Sequence, residues 1–146
     1  MSESHQLPFP NVLAALFGGD DVPVHLIYRL SDMSAADFRL FQKEWSEVVE
    51  DRRAAIVRHM ADIAEENYVV DFTPVFSWLF EDTFPTVRQA ALDGIWDSTD
   101  PQLVRPVIGM LQHDRDTAVR AAAARALAHY VLLAEWGQVS PALVAP

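Results

Sequence analysis

The fold is decided by a stretch of sequence that occurs twice. Residues 82–91 read DTFPTVRQAA and residues 114–123 read DRDTAVRAAA, an offset of 32 residues. The same offset relates residues 74–82, PVFSWLFED, to residues 106–114, PVIGMLQHD. Self-similarity at a fixed period of roughly 20–50 residues is the signature of stacked structural repeats. The chain is therefore predicted to be a repeat protein.

A weaker third copy precedes these two. Arg53, Arg88 and Arg120 occupy equivalent positions, at steps of 35 and 32 residues. The three extra residues of the first step are placed in the connection around 66–70, because a surface loop tolerates insertions best. Each unit is predicted to be a helix, a turn and a second helix, and the last unit lacks its second helix. The predicted helices cover residues 52–66, 72–81, 84–96, 101–112 and 116–136.

Residues 9–49 are predicted to form short helices ahead of the repeats. Ser34 has the character of an N-cap, with the acidic Asp37 three positions further on. The helix that it starts is predicted to run to about Val49, since its aromatic residues recur at three- and four-residue steps. No strand or hairpin pattern is present, so the sequence predicts an all-α protein.

The chain is predicted to form one domain over residues 1–146. At 146 residues, of which 51% are hydrophobic, it is long enough to bury a core. Residues 1–8 are expected to be a flexible tail. The N-terminal helices then occupy 9–49, the repeats 50–136, and a C-terminal tail 137–146.

The repeated residues resemble the HEAT-repeat family, particularly its short bacterial repeats. The resemblance covers roughly residues 50–136. It lies in Asp82…Pro85-Thr86-Val87-Arg88…Ala91 and Asp114…Thr117-Ala118-Val119-Arg120…Ala123, with a looser match at Asp51…Arg53…Ile56. It implies a right-handed α-solenoid of about three antiparallel helix pairs, with the second helices lining the concave face.

The same resemblance implies roles for the repeated residues and for the whole chain. Arg88 and Arg120 are expected to be structural and to bridge to loop aspartates such as Asp82 and Asp114. The function implied is that of a non-catalytic protein–protein interaction scaffold or adaptor. Because some short bacterial relatives resemble bilin lyases, the alternative is a chromophore- or cofactor-handling protein.

Composition narrows the class of partner. The net charge is −10, and the acidic excess lies in residues 1–100, with 18 Asp and Glu against seven Lys and Arg. Phosphate contacts dominate nucleic-acid affinity, so this charge argues against a DNA or RNA partner and favours an unknown protein partner. No apolar run reaches the length of a membrane span, and the polar N-terminus lacks the pattern of a signal peptide. The protein is therefore expected to be cytoplasmic.

No catalytic or metal-binding pattern is present. The chain has no cysteine, and its five histidines show neither a His-x-x-x-His nor a His-Glu pair. It also lacks a Gly-x-Ser-x-Gly motif and a glycine-rich phosphate loop. The sequence therefore predicts that the protein is not an enzyme and holds no metal or cofactor.

Three phenylalanines are candidate partner-binding residues. Phe72, Phe76 and Phe80 form a stripe at steps of four along the predicted helix 72–81. One interpretation is an exposed aromatic strip on the concave face, onto which a peptide or helix docks. The other is that the stripe packs against the helix at 38–49, whose own aromatic residues need partners.

The last predicted helix, 116–136, raises a separate question. A terminal repeat exposes a face that is built for stacking, and this helix has no second helix after it. Three explanations stay open: the tail folds back over the face, the face meets another copy in a homo-oligomer, or the array is longer. Leu133 and Trp136 on this helix are therefore candidate partner-binding residues.

Overall fold

The regular secondary structure of the described residues is helical. The computed structural model describes residues 7–67, 69–137 and 142, and no strand occurs among them. The helices are α1 Phe9–Phe17, α2 Val24–Ile27, α3 Ala35–Trp45, α4 Glu50–Glu66, α5 Thr73–Leu79, α6 Pro85–Gly94, α7 Val104–His113 and α8 Thr117–Glu135. Short 3-10 helices extend α2 over Tyr28–Leu30 and precede α7 over Pro101–Leu103.

The helices stack in chain order. α6 packs between α4 and α8, so the first helices of three successive units form one layer. α5 packs against α6 and α7 against α8, which gives the second layer. At the N-terminal end, α1 packs against α2 and α3, and α2 packs against α4. The predicted all-α solenoid is confirmed.

Short polar side chains fix where several helices begin. Ser34 Oγ accepts a hydrogen bond from the backbone N–H of Asp37 at 3.1 Å, as the N-cap prediction required. Asp100 accepts from the Gln102 N–H at 2.9 Å before the 3-10 turn, and Asp116 accepts from the Val119 N–H at 3.0 Å at the start of α8. Each cap satisfies a backbone donor that a helix start leaves without a partner.

The end of α3 differs from the prediction. The helix ends at Trp45 rather than at about Val49, and the next residues form a turn in which the Val48 N–H donates to the Trp45 carbonyl at 3.0 Å. Arg53 on α4 donates to the carbonyls of Ser46 at 3.2 Å and of Val48 at 2.7 Å. Since this guanidinium satisfies carbonyls beyond Trp45, the chain can leave the helix there.

Arg52 fixes the end of α1. Its guanidinium donates hydrogen bonds to six carbonyl oxygens within residues 15–21, including that of Leu16 at 2.8 Å. The carbonyls in the last turn of a helix have no partner within the helix, and a cation placed there also interacts favourably with the helix dipole. This side chain therefore joins α1 and the loop after it to α4.

An aromatic cluster joins α1, α3 and α5. Phe41 stacks on Trp45 with ring centroids 5.1 Å apart, and Trp78 of α5 meets Phe41 edge-on at 6.0 Å. Phe17 of α1 meets Trp45 edge-on at 5.7 Å. Offset and edge-on geometries are the favourable ones for aromatic pairs. The cluster therefore contributes to holding the N-terminal helices on the repeats.

Of the two interpretations of Phe72, Phe76 and Phe80, the exposed strip is wrong. Phe72, Phe76 and Phe80 are buried, with 2%, 1% and 5% of their surface exposed. Phe76 packs directly against Gly94 of α6, where an added Cβ would overlap its ring. The residue of α5 that meets the aromatic residues of α3 is Trp78. Because α5 has neighbours on both sides, its aromatic residues form core contacts instead of a docking surface.

The predicted tails fall mostly outside the described residues. Residues 1–6, 138–141 and 143–146 are among those that the structure does not describe. Leu7, which was assigned to the N-terminal tail, packs partly buried against the core, and its carbonyl accepts a hydrogen bond from Arg29 at 2.8 Å.

Candidate functional site

Two ion pairs join successive units of the stack. Arg53 of α4 donates to the carboxylate of Asp82 at 3.0 Å, and Arg88 of α6 donates two hydrogen bonds to Asp114, at 2.8 and 3.1 Å. Each aspartate lies in the loop before the next helix of the α4–α6–α8 layer. These side chains are 15% exposed or less. The repeated arginines therefore connect neighbouring units.

Within its own unit, each arginine binds backbone instead of a carboxylate. Arg88 donates to the carbonyl oxygen of Asp82 at 2.8 Å, and Arg120 donates to that of Asp114 at 2.7 Å. Each loop aspartate thus offers its carbonyl to the arginine of the same unit and its carboxylate to the arginine of the unit before. We call this arrangement of Arg53, Arg88 and Arg120 with their aspartates the ladder.

The ladder changes the proton affinity of Asp114. Burial raises the pKa of its carboxyl. The hydrogen bonds from Arg88 and from the backbone N–H of Asp116, together with the charges of Arg88 and Arg120, lower the pKa by more. The net result is a pKa below the ordinary value of 3.8, so the carboxylate is ionised at neutral pH, as its pairing with Arg88 requires.

A second, exposed row of charges crosses the same three helices. Asp93 of α6 pairs with Arg58 of α4 at 2.9 Å and with Arg125 of α8 at 3.5 Å. The three residues occupy equivalent repeat positions, and their charges alternate. Exposed pairs of this kind stabilise a fold by about 1 kcal/mol or less. Their value here is that they show which positions of adjacent helices meet.

The ladder is incomplete at α8. Arg120 donates to the Asp114 carbonyl and to the Thr117 hydroxyl at 3.0 Å, but to no carboxylate of a further unit among the described residues. Arg125 is also largely open, with 61% of its side chain exposed. In α4, the equivalent Arg53 and Arg58 both bind a carboxylate of the following unit.

The side of α8 away from the core is open, and its exposed apolar residues share it with Arg125 and Glu135. Val57 of α4 and Leu92 of α6 are buried, whereas the equivalent residue of α8, Ala124, is exposed. At about 100° per residue, the exposed apolar residues cover roughly 140° of the helix surface. We call this surface the outer face of α8, and its apolar members are Ala121, Ala124, Ala128, Val131, Leu132 and Trp136.

The opposite side of α8 packs against the core. Tyr130 is fully buried, and its hydroxyl donates to the carbonyl of Asp100 at 2.8 Å. Burial raises the pKa of Tyr130; a hydrogen bond with Ser98 opposes this rise, and the charge of Asp100 adds to it. The phenol therefore acts as a neutral hydrogen-bond donor that fixes α8 to the loop before α7.

The two predicted partner-binding residues of α8 lie in different environments. Leu133 is 3% exposed and belongs to the core, so its assignment to a partner surface is wrong. Trp136 is 66% exposed at the end of the outer face. A helix that is apolar on both sides gives no sign in its sequence of which side is buried, which is why the two residues were grouped together.

Sequence reasoning also missed the alanines of the outer face. A run such as Ala121–Ala124 is typical of any stable helix, so composition alone gives no reason to select it. The signal that could have found Ala124 is its alignment with Val57 and Leu92, two large apolar residues at the same repeat position.

Other kinds of site find no support in the described part of the chain. Within residues 7–67 and 69–137, no group of three or more histidine, aspartate or glutamate side chains could hold a metal ion. None of the helices described is both long enough and apolar enough to cross a membrane.

Comparison with known proteins identifies the repeats. Residues 72–141, which are 70 of the 146 residues, match the family model described as HEAT repeats. This part of the chain therefore matches HEAT repeats, the family that its repeated residues resemble. No curated protein and no solved structure matches it. HEAT repeats generally act as protein-interaction scaffolds.

Proposed function

We propose that this chain is a non-catalytic protein-interaction module that binds one helix of a partner protein on the outer face of α8. The observation that carries the proposal is the exposure of Ala124 at the repeat position where Val57 and Leu92 are buried. A surface with the residue pattern of a stacking interface, and with no described neighbour, suits the docking of a further helix.

The side chains of the outer face suit a helix in particular. Ala121, Ala124 and Ala128 lie at steps of three and four, and small residues allow two helix axes to approach closely. Leu132 and Trp136 are 46% and 66% exposed and offer apolar area beyond them. Exposed tryptophans that become buried on binding are frequent energetic anchors of protein interfaces.

The arginines of α8 define the charge expected of the partner helix. Asp82 lies three residues before α6 begins, and Asp114 lies three residues before α8 begins. A partner helix that continues the stack would carry an acidic residue at the same place, where Arg120 could bind it. A carboxylate near the start of a helix is also favourable for that helix itself. A second acidic residue, about three turns further on, would meet Arg125, as Asp93 meets Arg58.

The test is a photocrosslinker placed on the outer face. p-Benzoylphenylalanine at position 128, introduced in cells of the source organism, is expected to give one covalent adduct with a partner protein. The crosslinked peptide should belong to a helix with an aspartate or glutamate just before it. Adding Ala124→Arg should remove the adduct, because it places a long charged side chain in the contact. The matched control is the same crosslinker at position 36, another exposed alanine, on α3.

Each outcome of this experiment decides something. No adduct at position 128 beyond that at position 36 would overturn the proposal, as would an adduct that persists with Ala124→Arg. An adduct of the chain with itself would assign the face to a homo-oligomer instead. No observation on the described residues favours the chromophore- or cofactor-handling alternative.

A further inference from the structure

We propose that a groove between α1 and α3 binds an arginine side chain carried by an apolar segment of a partner protein. The groove has a volume of about 330 Å³ and lies where the ends of these two helices meet. Leu13, Phe17 and Val48 supply its apolar lining, and Glu44 and Glu47 supply carboxylates. It lies on different helices from the outer face of α8 and does not depend on the function proposed for that face.

The two glutamates of the groove favour a cationic ligand. The Oε2 atom of Glu44 is buried and has no hydrogen-bond partner within the described part of the chain. Leaving a buried acceptor without a donor is unfavourable, and more so when the group is charged. Glu47 lies three residues further on and lines the same groove. Among the described residues, neither carboxylate forms an ion pair.

The nearby guanidinium of Arg52 binds backbone carbonyls and forms no ion pair with Glu44 or Glu47 among the described residues. Arg52 belongs to α4, and its guanidinium reaches the end of α1 beside Gly18 of the groove, where it donates hydrogen bonds to carbonyls of residues 15–21. The first 50 residues as a whole carry eight Asp and Glu against three Lys and Arg. A basic ligand would therefore meet two carboxylates in a groove whose lining contains no basic residue.

The shape of the lining favours arginine over other cations. Phe17 is half-buried beside the carboxylates, and a guanidinium plane stacks well on an aromatic ring. The same planar group can donate two parallel hydrogen bonds to an exposed carboxylate such as that of Glu47. Its methylene stem can lie along the apolar wall formed by Leu13 and Val48, as long basic side chains do on apolar surfaces.

The test uses the full chain and two short peptides of the same shape. One is the capped pentapeptide Ac-Ala-Leu-Arg-Leu-Ala-NH2, and the other has citrulline, which is neutral, in place of the arginine. In a titration followed by ¹H–¹⁵N NMR, the arginine peptide should shift the amides of residues 13–18 and 44–48. The citrulline peptide should bind at least about tenfold more weakly, because it lacks the charge.

Two matched double variants distinguish binding in the groove from general attraction to an acidic protein. Glu44→Gln with Glu47→Gln should weaken the arginine peptide about tenfold. Glu65→Gln with Glu66→Gln makes the same change in net charge at an exposed pair at the end of α4 and should leave the affinity near that of the natural sequence. Equal binding of both peptides, equal effects of both double variants, or shifts outside the groove would each overturn the proposal. Ala124→Arg should not affect this binding, so the result is independent of the outer face of α8.

Discussion

Arg88 and Asp114 are joined by two hydrogen bonds, although the two residues are 26 positions apart in the chain. The bonds reach both oxygens of the carboxylate from two nitrogens of the guanidinium, which is the strong geometry for this pair. Arg120 occupies the same repeat position one unit later but binds no carboxylate among the described residues. Among the described residues, Arg53 and Arg88 thus each have a carboxylate partner, and the equivalent Arg120 has none.

Replacing these two arginines should have unequal effects on stability. Arg88→Ala leaves the enclosed Asp114 carboxylate without its main partner and should lower the free energy of unfolding by about 2–4 kcal/mol. Arg120→Ala removes hydrogen bonds to a carbonyl and a hydroxyl, together with a charge near Asp114, and should cost about 1 kcal/mol. Urea denaturation of the two variants measures the difference. Equal losses would show that the ion pair contributes nothing beyond the other contacts of an arginine at this position.

Stability should fall in acid partly because of Asp114. Its pKa in the folded chain lies below 3.8, so its contribution is fully present above the unfolded pKa and is lost as the pH falls through the folded pKa. Asp114→Asn should therefore lose less stability than the natural chain between about pH 5 and pH 2. Arg88→Gln should also flatten this dependence, because it removes a main cause of the lowered pKa. Unfolding curves across this range test both variants, and an unchanged slope in both would contradict the assignment.

Gly94 should tolerate no side chain. An added methyl group would overlap the buried ring of Phe76, so Gly94→Ala should destabilise the fold by about 1–3 kcal/mol. The matched control is Gly109→Ala in α7, where nothing lies within 4 Å of the added Cβ. That change should stabilise the helix by about 0.5–1 kcal/mol. Thermal unfolding distinguishes the two, and a neutral or stabilising Gly94→Ala would mean that Phe76 moves aside easily.

Removing the side chain of Arg52 should loosen the end of α1. Arg52→Met keeps the apolar stem but loses the hydrogen bonds to residues 15–21, and we expect a loss of about 1–3 kcal/mol. Hydrogen exchange at those residues should become faster. Arg58→Met removes an exposed ion pair with Asp93 and should cost about 0.5 kcal/mol or less. If exchange at 15–21 does not change in Arg52→Met, other contacts hold this segment.

The repeat architecture could be predicted from the sequence because equivalent residues recur at a nearly fixed spacing along the chain. The equivalence of Arg53, Arg88 and Arg120 located the three stacked helices, and caps such as Ser34 and Asp100 located helix starts. The helix caps depend on short-range geometry, and the arginine positions depend on repetition along the chain. Neither requires knowledge of which surfaces meet.

The predictions that failed required that knowledge. Phe76 on α5 shares a stripe with Phe72 and Phe80, which flank this helix. A helical wheel cannot tell which neighbour covers a helix that is apolar on most sides. The same limit applied to Leu133 and Trp136 on α8, which proved to be 3% and 66% exposed. The contacts of Arg52 with residues more than 30 positions earlier leave no periodic signal at all.

The direction of the ladder bears on how the chain comes apart. Since Asp82 and Asp114 each belong to the unit after their arginine, the ion pairs strengthen the coupling between units and not the intrinsic stability of any one unit. In a linear array, nearest-neighbour coupling decides whether units melt singly or together. A unit that loses its neighbour also loses the partner of its enclosed charge, so partly unfolded arrays are disfavoured. The ladder thus makes unfolding of the stacked helices a cooperative event.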